Sequence, residues 1–171
     1  MTYLLNIQLV GVDSPKVWRQ IRISSEMSLY QLHIAVQTAM GWTDSHPHCF
    51  SALNSEGDTE IIPTCDETGK SLEVRIKKHL SPERPVMHYI YDFGDYWDHE
   101  IRLDGVMREV TAFPECTGGG GACPPENSGG PAGYRELLAR GEISRERAAI
   151  FSADQADAAL TDVFLKSVLD K

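Results

Sequence analysis

Cys116 and Cys123 bracket four consecutive glycines in PECTGGGGACPPENSGGPAGY, the stretch from Pro114 to Tyr134. Thiolates carried on tight Gly and Pro turns suit a tetrahedral zinc ion. The Cys-x6-Cys spacing is wider than a Cys-x2-Cys knuckle, so two further ligands must come from elsewhere. Cys49, His46, His48 or His99 could supply them if the fold brings them near. A phosphate cradle fits poorly, because a P-loop needs Lys and a hydroxyl after its glycines and this stretch holds no Lys. A flexible linker and a rigid lid over a neighbouring element are the bland alternatives.

A second group, Asp92, Asp95, Trp97 and His99, crowds one hairpin turn. Two carboxylates and an imidazole can bind a metal or carry acid–base chemistry. The same residues also fit ordinary turn chemistry and core packing. His99 is a titratable group on an otherwise apolar strand face, and once buried it needs a hydrogen-bond partner or a metal. His33, four residues after Leu29, edges the buried stripe of a helix. His46 and His48, two apart, would face the same side of a strand, with Pro47 restricting His46 to extended geometry. Cys65, in PTCDETGK, reads as incidental.

The elements that must position these residues follow from periodicity. YLLNIQLVGV alternates Tyr3, Leu5, Ile7 and Leu9 on one face, and VWRQIRI does so with Val17, Ile21 and Ile23. The two runs make a hairpin around a turn at Gly11–Pro15. Ser28 and Gln31 form a capping box ahead of Leu29, Leu32, Val36, Ala39 and Met40, with Gly41 as the stop. PHCFSAL and TEIIP read as short strands around the turn NSEGD, and SLEVRIKKHL as a short helix closed by Ser81-Pro82. VMHYIYDF and YWDHEIRLDGV flank Gly94-Asp95, a two-residue type II′ turn. Helical patterns run from AGYRELLARG, through a Ser144 cap, to Ala156, Leu160, Val163 and Phe164. Strands early and helices late predict an α+β fold, read as a single domain over residues 1–171.

At 171 residues with 42% hydrophobic and 24% charged residues, the chain can build a proper core. A formal net charge of −9 argues against direct nucleic-acid binding, which depends on clustered Lys and Arg. The N-terminus lacks a basic region before its short apolar run, and no stretch approaches the length of a membrane helix. The expectation is a cytoplasmic protein with reduced cysteines.

Four stretches, VWRQIRI, LHIAVQTAMGWTDSHPHCF, YIYDFGDYWDHEIRL and PECTGGGGACPPENSGGPAGY, resemble in this order the plasmid pRiA4b Orf3-like family. The family is also met as passenger proteins of insertion elements. The likeness spans Tyr3 to about Leu138 and implies an α+β fold without an established activity. The chain departs from it at Ser128, where a third cysteine is expected, and at Asn127, which replaces an acid. Cys49 is a candidate replacement thiol, and the C-terminus diverges.

The combined reading is an accessory or regulatory domain that works by binding a protein or a small molecule, linked by the resemblance to mobile elements. Its candidate binding residues are Asp92, Asp95, Trp97, His99 and His33, and its candidate zinc ligands are Cys116, Cys123, Cys49, His46 and His48. One alternative is a metal-assisted hydrolase using Asp92, Asp95 and His99. Another is a purely structural interaction domain.

Overall fold

Alternation in the first 24 residues produces a long hairpin, β1 (Thr2–Asp13) against β2 (Lys16–Ser24), with Leu5 opposite Ile21 and Ile7 opposite Arg19. Tyr3, Leu5, Ile7, Leu9, Val17, Ile21 and Ile23 point to one side and are buried. The expected turn at Gly11–Pro15 is shorter than its sequence suggests. β1 continues to Asp13, through a break in register after Gln8 that contains Gly11 at φ 78°. The structure is a computed structural model that describes residues 1–54, 56–64 and 73–169.

The expected capping box starts α1 (Leu29–Met40): Ser28 Oγ accepts from the Gln31 amide and Gln31 Oε1 from the Ser28 amide. Gly41 closes the helix at φ 90°, a left-handed conformation that favours glycine. β3 (His48–Leu53), β4 (Thr59–Ile62), β5 (Val86–Tyr91), β6 (Trp97–Met107) and β7 (Glu115–Gly120) complete one antiparallel sheet of order β4-β3-β5-β6-β1-β2-β7. Helices α2 (Gly130–Ala139), α3 (Arg145–Ala149) and α4 (Ala153–Leu169) follow, so the fold is α+β. Apolar residues of α1 and one sheet face form the core, α4 packs on α1 and β7, and α2 reaches β1. No helix among the described residues is long and apolar enough to cross a membrane.

Three local expectations are corrected. Strands β5 and β6 pair Tyr91 with Trp97, so their connection is a five-residue loop, Asp92–Tyr96, instead of a two-residue turn at Gly94-Asp95. Asp92 at φ 58° and Tyr96 at φ 54° supply the reversal, and Asp92 Oδ1 accepts from the Gly94 and Asp95 amides. SLEVRIKKHL yields only a 3-10 turn at Ile76–Lys78. Its first two residues, like Cys65, lie outside the described residues.

The third correction concerns the glycines. Residues Glu115–Gly120 are an edge strand, β7, paired with β2, so this part of the stretch is no linker, while Gly129 and Gly130 farther along lie against Asp95 of the β5–β6 connection. Two aromatic rings lent by other segments occupy the space β7 side chains would fill. Phe151 lies where a Gly119 Cβ would be, and a Cβ on Gly120 would come within 2.7 Å of Trp18 Nε1. At Gly121, φ is 70° and a Cβ would meet the Lys16 carbonyl oxygen at 2.5 Å.

Gly121→Ala should therefore destabilise more than Gly41→Ala, whose Cβ would meet nothing within 4 Å. The expected losses are ~2–4 kcal/mol against ~1 kcal/mol, since only the first adds a backbone clash to the left-handed penalty. Urea midpoints of the two variants check this. Equal losses would mean that the strand moves freely off β2.

Candidate functional site

Burying polar groups between α1 and the sheet demands that each find a partner, and three of them do so in a ring closed by the exposed Asp44. His33 and Gln37, one turn apart on α1, both reach the Tyr89 hydroxyl of β5, at 2.8 and 2.9 Å. Gln37 Nε2 donates to Tyr89, whose hydroxyl hydrogen is then free to go to His33 Nδ1. That leaves His33 protonated at Nε2, 3.1 Å from Asp44 Oδ1. The Asp44 amide closes the circuit by donating to Gln37 Oε1 at 3.0 Å. Burial pushes the Tyr89 phenol up, so it stays protonated. Burial also lowers His33, partly offset by Asp44.

His48, the first residue of β3, stacks on His33 with ring centroids 3.6 Å apart and planes within 7°. Burial first, and the neighbouring His33 second, take its pKa down to about 4, so it is neutral at pH 7. Nitrogens of His33 and His48 and a carboxylate oxygen of Asp44 all lie within 4.8 Å of one another. Among the described residues this is the one group of three or more His, Cys, Asp or Glu side chains close enough to share an ion. Asp44 is exposed while His33 is buried, which leaves the group open to solvent on one side.

The segment carrying Asp44, at φ 54°, is held from a distance. Glu126, in the Cys-Pro-Pro-Glu segment after β7, accepts from the Thr43 amide at 2.8 Å, the Thr43 hydroxyl at 3.0 Å, the Ser45 hydroxyl at 2.7 Å and Tyr91 at 3.2 Å. Burial alone would raise its pKa, but these donors together keep it below the ordinary glutamate value. Trp42 Nε1 donates to the Pro124 carbonyl at 3.0 Å, a second tie between the same two segments.

The residues singled out by sequence are divided by this geometry. His33 and His48 meet. His46 precedes β3, so it shares no strand face with His48. It lies 3.6 Å from Asp92 and 3.5 Å from Glu126 instead. Cys49 alternates with the buried Phe50 and so occupies the opposite sheet face from His48. Cys116 and Cys123 are free thiols raised by burial, and no third ligand approaches them among the described residues. Asp95 Oδ2 accepts from the Gly129 amide, and Trp97 is core. His99 is fully buried, donates from Nδ1 to the Tyr89 carbonyl at 3.1 Å, and has no partner at Nε2 among the described residues. Asp92, Asp95 and His99 therefore do not converge on one point.

Asp44, Gln37, Tyr89 and Glu126 were not anticipated. Two signals were available: Asp44 stands four residues before His48, and Gln37 follows His33 by one helical turn.

A family model described as plasmid pRiA4b ORF-3-like protein matches residues 1–149. The chain is 34% identical over 139 residues to the uncharacterized protein y4hQ of Sinorhizobium fredii, covering 78% of this chain and 69% of that protein. Its structure is similar to the crystal structure of MM3350, a protein of unknown function from Methanosarcina mazei Go1. There the TM-score is 0.78 at 28% identity, over 90% of this chain and 95% of the other.

His99 gives the site's surroundings a defined acid sensitivity. Its folded pKa of about 4 lies below the ordinary 6.5, chiefly from burial. The unfolded chain thus binds more protons between those values, and stability is complete above the upper one and lost as pH falls toward the lower. His99→Phe, which keeps an aromatic ring and removes the titration, should flatten the fall in urea stability over that window by on the order of 2 kcal/mol. An unchanged pH slope would show that His99 charges equally well in the folded protein.

Proposed function

The chain belongs to the plasmid pRiA4b ORF-3-like family, and from that premise we propose that it is an accessory or regulatory binding domain that holds a divalent transition-metal ion, zinc first among them, on His33, Asp44 and His48. The observation that carries this reading is the mutual approach of the three ligand atoms within 4.8 Å. Imidazole and carboxylate suit zinc and its neighbours, and three protein ligands with one open side leave room for water or a bound group. An ion held at His33 Nε2 would require the ring's single proton to sit at Nδ1 instead, facing the Tyr89 hydroxyl oxygen. Tyr89 and Gln37 thereby orient the ring, as second-layer partners of metal-bound histidines do. The plasmid origin in the family's name supports a link to mobile elements, and the three free thiols among the described residues suit a cytoplasmic location.

The test is calorimetric titration of zinc into chelator-treated, tag-free full-length protein. One ion per chain is expected. His48→Ala and Asp44→Asn should weaken binding by about 100-fold or more and Tyr89→Phe by about 10-fold, while Cys116→Ser and Cys123→Ser change nothing. Cobalt should bind without a thiolate charge-transfer band. Binding that survives the His48 and Asp44 substitutions but is lost with the cysteines would overturn this site in favour of the glycine-flanked thiols. No binding at all would leave a structural interaction domain.

A further inference from the structure

Arg19 interrupts the apolar face of β2, where Val17, Ile21 and Ile23 are core. Its side chain is 2% exposed. Among the described residues it forms no ion pair, and every hydrogen bond it makes goes to a neutral carbonyl. Nε donates to Ala39 at 2.8 Å, and Nη1 faces Trp18, Gly120 and Gly121 at 2.7, 2.9 and 3.0 Å. The guanidinium carbon lies 3.9 Å over the Phe151 ring. Nη2, with two N–H donors, has no protein partner among the described residues, yet it is not one of the wholly buried unpaired atoms, so solvent reaches it. A buried cation without a counter-charge is costly, and an arginine fork with one arm free is suited to a carboxylate.

Arg19 is also on the wall of a cavity of about 310 Å³. The last turn of α1 with Gly41, Ala122–Cys123, and the first turn of α4 border it, and it opens broadly to solvent. Ser152 and Gln155 bring polar groups and the positive end of a 17-residue helix. Ala39, Met40, Ala156 and Ala159 make much of the remaining wall apolar.

We propose that this cavity is a second binding site, independent of the histidine group, that takes a small organic carboxylate with an apolar body. Its carboxylate accepts from Arg19 Nη2, supplying both the missing acceptor and the missing charge. Its body lies on the alanine-lined wall. One free guanidinium arm and few other donors match a carboxylate better than a phosphate, which needs more donors.

The test is amide-resolved NMR of the full chain, titrated at constant ionic strength with sodium benzoate and separately with benzamide, its neutral counterpart. Benzoate should saturably shift the resonances of Ala122, Cys123, Ser152 and Gln155, and bind at least about tenfold more tightly than benzamide. Gln155→Glu, an exposed position whose substitution spares the fold, should weaken benzoate several-fold more than it weakens benzamide. Arg19→Met, if it folds, should abolish the preference for benzoate. Equal shifts by both probes, no saturation, or indifference to Gln155→Glu would each overturn the proposal and leave Arg19 as a cross-link between α1 and the β2–β7 edge.

Discussion

One hydroxyl governs how α1 sits on the sheet. Tyr89 accepts from Gln37 and pairs with His33 in a dry interface, where a polar atom without a partner is expensive and a satisfied network is strong. Because the two helix residues are one turn apart, sliding or rotating α1 would break both bonds together. The same requirement carries into the next segment: the Asp44 amide must reach Gln37 and its carboxylate must reach His33. The chain accepts a left-handed conformation at Asp44 to do both, and Asp is among the few side chains that tolerate one. The approach of two imidazoles and a carboxylate is thus a by-product of satisfying a buried interface.

Two further ties fix that arrangement from remote parts of the chain. Glu126 and the Pro124 carbonyl anchor the Trp42–Ser45 segment. Arg19 gathers the Ala39 carbonyl of α1 and the carbonyls of Gly120, the last residue of β7, and Gly121 just after it. The stretch that looked most like a metal-site lip is therefore framework. Three of its glycines, Gly118 to Gly120, belong to a strand, and its Cys-Pro-Pro-Glu portion contributes a carboxylate that organises other residues.

Much of the architecture could be read in advance where a single local rule applied. Alternation located β1, β2 and β6, and the Ser28–Gln31 box and Gly41 bounded α1. Legibility failed where the deciding atoms come from another segment. Nothing near Gly119 announces that Phe151 will fill its place, so a strand of glycines reads as a loop. The Asp92–Tyr96 loop differs from a two-residue turn because the Asp92 carboxylate caps the Gly94 and Asp95 amides, a choice composition leaves open. His33 and His48 could be marked as ionisable groups at structured positions. Asp44 stands only four residues before His48, but the connection that turns it back onto His33 is irregular and has no periodicity to announce it. The interruption at Arg19 was visible in VWRQIRI, and its meaning required the cavity beside it.

The glycine strand also changes how the sheet ends. An edge strand normally guards its open hydrogen-bonding groups with charges, prolines or bulky side chains of its own. Gly118, Gly119 and Gly120 have none, and the cover over them is borrowed from Trp18 on one face and Phe151 on the other, with α4 packed against the strand. Protection against edge-to-edge self-association is consequently encoded outside the strand it protects. Damage to the turn before α4 would expose a bare, flat edge while leaving every residue of that edge unaltered.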